Sequence, residues 1–315
     1  MTTLTDGSRT RSEAGGTRRP AYRAGVRPRT ILAFLIPFFV PFVLFYAAPV
    51  GYALVQSFRK IERTGGQFGH LSTTFGGITQ YRQVLGSDQF WASVGRVALF
   101  GVVQVPVMLL LSLVIALFLD SPLVRFKTFF RLTAFLPYAI PGLIAAITWS
   151  FLYHPQLSPI VSLLGHLGVH IDFLSQHTVL WSIANISTWL WTGYNMLIIY
   201  SALQAIPQDI YEAARLDGAS QVQMALRIKV PIVAPALVLT AVFSIIGTLQ
   251  LYSEPSVLAQ VAPSVSSTYT PNMTTYAVAS GGNYQQAAAM SVVIAVVTFV
   301  LSFGFMRLTN RRAER

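Results

Sequence analysis

Long stretches without a charged residue constrain this chain more than any other feature. Asp, Glu, Lys and Arg are absent between Arg29 and Arg59, and again from residues 97–119, 132–153, 179–205, 230–252 and 285–306. About 20 apolar residues in helical form cross the hydrocarbon core of a bilayer, so these runs predict six membrane helices in an all-α bundle. Pro37, Pro41 and Pro49 in the first run predict a kink or a helix start, which membrane bundles tolerate because neighbouring groups re-satisfy the freed backbone. The chain is 53% hydrophobic and 10% charged, against about 25% charged in an average soluble domain. It lacks the polar surface to cover itself in water.

A formal net charge of +11 raises the possibility of a nucleic-acid partner, but the placement of the charge argues against one. Seven arginines fall in the first 29 residues, a Gly/Ser/Thr-rich segment without apolar periodicity. Residues 1–29 therefore read as a disordered tail that sets topology, with binding to anionic lipid as its other reading. A cleaved signal peptide is not expected, because the apolar run that follows is too long and starts too late. Positive charge is retained on the cytoplasmic side of a membrane. If the tail lies inside, 17 of the 22 basic residues lie inside with it, including Arg125, Lys127, Arg131, Arg215, Arg227 and Lys229. Both termini are thus expected in the cytoplasm, flanking one membrane domain over residues 30–309, with residues 310–315 as a short tail.

Several chemistries find no residues to carry them. There is no cysteine, which excludes disulfides, thiolate metal sites and a cysteine nucleophile. His70, His154, His166, His170 and His177 all fall in predicted outer loops. His166 and His170 have the i, i+4 spacing of a metal pair, but with only Asp172 nearby they are read as loop histidines, and no metal is expected. Ion-coupled transporters usually place ionisable groups at mid-membrane, and an intramembrane enzyme needs a catalytic pair or metal set; the six runs offer neither. No Gly-x-x-x-x-Gly-Lys-Ser/Thr cradle for a nucleotide occurs. Glu254 is the lone acid of the last outer loop, and either a partner protein or solvent is open to it.

Between the fourth and fifth runs lies Ile206-Pro-Gln-Asp-Ile-Tyr-Glu-Ala-Ala-Arg-Leu-Asp-Gly-Ala-Ser220, continuing to Ile228-Lys-Val-Pro231 and Pro235. Pro207 suits a first helical turn, and Asp209 and Glu212 complement its positive end. Gly218 permits a positive φ, and Ser220 can cap a second helix. Pro231 suits the first turn of the next membrane helix. Residues 207–230 are therefore expected to form a cytoplasmic two-helix loop, with small residues where another protein could approach.

The elements Glu212-Ala213-Ala214, Asp217-Gly218-Ala219 and Ile228-Lys229-Val230-Pro231 resemble the signature of the binding-protein-dependent permease family of bacterial ATP-binding-cassette importers. Val230 stands where Leu is usual. The resemblance implies that Glu212, Ala213, Ala214, Asp217, Gly218 and Ala219 form a coupling helix seated on a cytoplasmic ATPase. It implies a second permease subunit, two ATPase subunits that carry ATP and Mg, and an extracellular substrate-binding protein. This chain would then sit in the bacterial inner membrane as a transport subunit, with neither catalytic residues nor a cofactor of its own. Leu136-Pro137, Pro141, the segment Trp189-Leu-Trp-Thr-Gly-Tyr-Asn195 and Leu203-Gln-Ala-Ile-Pro207 make it similar to the carbohydrate branch, which imports maltose and oligosaccharides. A non-sugar solute such as glycerol phosphate, a polyamine or a peptide is the alternative.

A polar solute crossing a bilayer needs hydrogen-bonding groups inside the bundle. Helical spacing places Ser187, Trp191, Tyr194, Asn195 and Ile198 on one face of the fourth helix. Ser244, Thr248 and Gln250 lie on the fifth, with Gly247 expected to permit close approach. An aromatic ring can pack on a pyranose face while amides and hydroxyls pair with its hydroxyl groups, and no charge is expected among these residues. The competing reading assigns Trp189 and Trp191 to an interfacial aromatic belt.

Overall fold

The computed structural model describes residues 28–64 and 70–313; the tail expected over residues 1–29 lies outside them except for its last two residues, which already belong to a helix. The chain divides into two compact units at Val50 and Gly51. Helix α1 (residues 28–57), whose first part up to Val50 belongs to the first unit, starts at Pro28, runs through Pro37 and Pro41, and widens into a π turn at Val43–Ala47. That turn immediately precedes Pro49, whose ring would collide with the carbonyl of Phe45 in a regular helix; an extra residue in the turn relieves the collision.

The second unit is built around α3 (Asp88–Asp120) and α7 (Val179–Gln204), which pack along much of their length. Helix α10 (Val230–Leu249) lies against both, and α13 (Tyr284–Ala313) packs on α10 and on the short α2 (Thr79–Leu85). The α7 stripe Ile183, Ile186, Met196, Ile199 and Leu203 is fully buried. Lipid tails are as apolar as leucine, so close van der Waals fit holds such helices together more than hydrophobicity does. Gly193 shows how tight the fit is: a Cβ there would stand 2.0 Å from the carbonyl oxygen of Ala134. Polar links add to it. Ser112 Oγ lies 2.7 Å from Met108 O on its own helix and 2.9 Å from Thr192 O on α7, sharing its proton between them.

The bundle is mostly helical but not all-α. Strands β1 (Arg59–Thr64) and β2 (His70–Phe75) pair antiparallel, with Lys60 opposite Thr74 and Glu62 opposite Ser72. Thr74 Oγ1 donates to Glu62 Oε2 at 3.2 Å and Lys60 Nζ stands 2.5 Å from Glu62 Oε1, cross-strand and local contacts of the type that stabilise a hairpin.

The stretch expected as one helix over residues 132–153 is broken. Helix α4 (Lys127–Phe135) passes through a 3₁₀ turn, Leu136–Ala139, and α5 (Gly142–Tyr153) leaves at 95° to it. Ile140, forced out of helical geometry by the following proline, is extended at φ −83° and ψ 127°. Among the described residues, four helices are long and apolar enough to cross a membrane: Ile31–Ser57, Asp88–Asp120, Gln221–Leu258 and Tyr284–Thr309. A fifth is added if the bent pair counts as one crossing. The expected fourth helix is present as α7, but its Ser, Thr, Asn and Tyr side chains leave it less apolar than those four.

Two short helices, α8 (Gln208–Leu216) and α9 (Gln221–Met224), connect α7 to α10. Between α9 and α10 the chain never leaves the helix: a π turn at Ala225–Lys229 carries it into Val230. As in α1, the π turn precedes a proline, here Pro231. The segments expected as outer loops hold α6 (Pro159–His166), α11 (Ser253–Leu258) and α12 (Pro271–Ser280).

Candidate functional site

The break between α4 and α5 leaves a cavity of about 540 Å³ bounded by α3, α7, α10 and α11. Irregular backbone at membrane depth is tolerated where it lines such a space, and Tyr138, Ile140, Pro141 and Gly142 do so here. Every residue expected to contact a solute is in the wall: Trp191, Tyr194 and Asn195 from α7, and Ser244, Gly247, Thr248 and Gln250 from α10 and its C-terminal cap. Ser187 joins them, whereas Ile198 does not.

Aromatic rings form one side of the cavity. Tyr138 stacks on Tyr194 with centroids 4.7 Å apart and meets Trp191 edge-on at 5.3 Å. Trp191 is 42% exposed, so much of its ring remains free. Polar residues of α7 lie beside them. Asn195 is buried and donates Nδ2 to Trp191 O at 3.0 Å, while its Oδ1 and the Ser187 hydroxyl have no partner among the described residues. An unmade buried hydrogen bond costs about 1–3 kcal/mol. The Ser244 hydroxyl is occupied as a donor: its Oγ donates to Thr240 O at 2.8 Å and keeps its lone pairs for a solute.

Two expectations for this region are corrected. Gly247 meets nothing within 4 Å of its virtual Cβ, so it leaves room in the cavity and brings no helix close; Gly193, backed by Ala134, has that role. Glu254 does not project into open solvent. It is only 8% exposed and lines the cavity beside Tyr252 and Gly142, because the chain turns at Tyr252 and folds α11 back over α5. An acidic side chain therefore stands where no charged residue was expected, and among the described residues Lys, Arg and His are absent from the lining. The residues that sequence reasoning missed are this glutamate and Tyr138. For Tyr138 the signal was available in the two flanking prolines, Pro137 and Pro141.

The loop between α7 and α10 has the expected form in nearly every detail. Gly218 ends the first arm at φ +78°. Ser220 caps the second in a reciprocal box, Ser220 N donating to Gln223 Oε1 at 2.8 Å and Gln223 N to Ser220 Oγ at 3.3 Å. Pro207 sits one residue before the helix, as its cap. Glu212, Ala213, Asp217 and Gly218 are exposed, Ala219 is half-buried, and Ala214 turns inward with Tyr211. Leu216 on the outer face is 89% exposed. The Tyr211 hydroxyl has no partner, and its pKa is pushed up to about 12 by burial and by the negative charge of Asp120.

The histidine pair does not form, since α6 stops at His166 and Gly168 turns the chain at φ +79° before His170. Among the described residues no three His, Cys, Asp or Glu side chains gather as a metal site.

The fold resembles a solved bacterial ABC transporter involved in import of the acidic polysaccharide alginate, with a TM-score of 0.77 at 19% identity over 90% of this chain and 96% of that one. In sequence, the lactose transport system permease protein LacF of Rhizobium radiobacter is 32% identical over 241 residues, 73% of this chain and 79% of its own. The sn-glycerol-3-phosphate permease UgpA of Pectobacterium atrosepticum is 27% identical over 303 residues, 94% and 98% of the two chains. Residues 105–315, which include most of the cavity lining, the two-helix loop and α13, match the model of the binding-protein-dependent transport system inner membrane component. The chain belongs to that family.

Proposed function

We propose that this chain is the sugar-pathway permease of an ATP-driven importer in a bacterial inner membrane. It pairs there with a second permease subunit and receives solute from an extracellular binding protein. The observation that carries the sugar reading is the cavity: its wall combines the aromatic rings of Tyr138, Trp191 and Tyr194 with the polar residues Asn195 and Ser187 of α7 and Ser244, Thr248 and Gln250 of the α10 segment. A pyranose ring has one apolar face to stack and hydroxyls to pair, and the space of about 540 Å³ suits a mono- or disaccharide-sized unit.

One of the relatives carries glycerol phosphate in its name, which favours an anionic solute as a second reading. Electrostatics argue against it here. Side-chain recognition of a phosphate or carboxylate uses Arg or Lys, and among the described residues this lining holds the acidic Glu254 and no basic side chain. A neutral sugar is the better match.

The six-helix topology follows if α7 and the bent α4–α5 pair each count as one crossing. At about 1.5 Å per residue, the 26 residues of α7 are long enough to span the membrane. Both termini and the loop of residues 207–230 then face the cytoplasm, with residues 30–309 as one permease domain between short tails. The outer face of α8, with Glu212, Leu216 and Asp217, seats in an ATPase, whose binding and hydrolysis of ATP swing the cavity between the two sides.

The test is copurification from membranes with the second permease and the ATPase subunits. Glu212→Ala and Gly218→Pro are expected to insert normally and to lose the ATPase or its stimulation. Proline fixes φ near −65°, which cannot satisfy a position at +78°. Normal ATP-driven uptake in both variants sinks the docking assignment.

A further inference from the structure

Both arms of the cytoplasmic loop and the inner ends of two long helices meet at one buried charge pair. Asp120 is the last residue of α3, and its carboxylate pairs with the ammonium of Lys229; the side chains are 7% and 9% exposed. The second carboxylate oxygen accepts from Gln204 Nε2, at the end of α7, at 2.7 Å. Lys229 closes the π turn between α9 and α10, and its ammonium lies 5.0 Å from the ring centroid of Tyr211 on α8. Asp120 and Lys229 are 109 positions apart in the chain.

Stability does not account for this arrangement. A carboxylate at a helix C-terminus opposes the helix dipole, and burying two charges costs several kcal/mol per ion, so well-packed apolar residues often do as well. What the pair does supply is a fixed relation among elements that chain connectivity leaves free. The π turn adds one residue to the helix and turns Lys229 inward, toward both Asp120 and Tyr211. Three of the helices joined here, α3, α7 and α10, also supply cavity walls through Gln104, Trp191 and Ser244.

We propose that the Asp120–Lys229 pair is a strut that carries displacement of α8 into the cavity walls, with Asp120, Lys229 and Tyr211 as positioning residues. The proposal rests on the reading of α8 as an ATPase dock. Without the strut, the loop remains attached through residues 205–207 and the π turn, and it can rock without moving α3.

The chain has no cysteine, which makes a direct readout available. Ser244→Cys places one thiol in the cavity of the assembled transporter, and its labelling by a membrane-impermeant maleimide is measured with and without ATP and orthovanadate. Nucleotide trapping is expected to change the rate by at least about fivefold, the lower end of site-to-site coupling. In the Asp120→Leu/Lys229→Met background the partner still traps nucleotide, but the labelling rate no longer responds. Tyr211→Leu reduces the response, whereas Tyr211→Phe preserves it, because the hydroxyl has no partner.

An undiminished response in the double variant overturns the strut, and so does loss of ATPase binding in that variant alone, which would make the pair a support for the docking face. If the double variant fails to insert, the tyrosine variants decide: equal responses in Tyr211→Leu and Tyr211→Phe overturn the proposal. Failure of the unsubstituted chain to hold an ATPase defeats the docking reading itself and is a separate outcome.

Discussion

Gly193 and Asn195 sit two positions apart on α7 and answer different demands. Gly193 faces the backbone of Ala134 so closely that even a methyl group has no space, and a carbonyl cannot yield as a flexible side chain does. Overpacking typically costs about 1–3 kcal/mol and occasionally more. Gly193→Ala is expected at the upper end, read as a fall in the thermal unfolding temperature of the purified complex in detergent. Asn195 faces inward with an oxygen that has no partner among the described residues. Asn195→Leu should leave assembly intact and reduce uptake by about tenfold, the equivalent of one buried hydrogen bond of about 1.4 kcal/mol; Gln250→Leu tests the opposite wall in the same assay. Unchanged uptake and solute preference in both would mark these side chains as packing alone. The α7 face was legible in the sequence because helical spacing alone gathers Ser187, Trp191, Tyr194 and Asn195. Glu254 was not, because its burial depends on a reversal at Tyr252 that no local pattern announces.

Elements differ in how far their boundaries can be read in advance. The loop between α7 and α10 could be read almost residue by residue, since a glycine at positive φ and a Ser-x-x-Gln cap act within three or four positions. Its junction with the membrane could not. Pro231 reads as a helix start, yet the π turn at Ala225–Lys229 lets the helix pass through. The same device precedes Pro49 in α1. Pro137 and Pro141 behave otherwise and break the run into two helices at 95°. The difference lies in Ile140: as the residue before a proline it favours the extended region, and here no wider turn absorbs the conflict. Apolar length alone described that segment as one straight helix. The Asp120–Lys229 pair lay beyond local reading for another reason, since its members are far apart in sequence and Lys229 alone reads as an ordinary cytoplasmic charge.

At the scale of the molecule, charge and polarity are divided by depth. Basic residues cluster at the ends expected to face the cytoplasm, polar uncharged groups occupy the cavity, and the one acid in its wall stands toward the α11 end. Reporter fusions at the C-terminus and within residues 207–230 should both report the cytoplasm, and a fusion within residues 259–270 the outside. A C-terminus on the opposite side from the loop would remove the six-crossing topology. The vacancy beside Gly247 gives the molecule an adjustable calibre. Since no atom lies within 4 Å of where a Cβ would stand, Ala, Val and Leu at 247 form a graded series that narrows the bore without disturbing the helix packing. Uptake of trisaccharides should fall along that series before uptake of monosaccharides does, so the length of sugar admitted can be retuned at a single position.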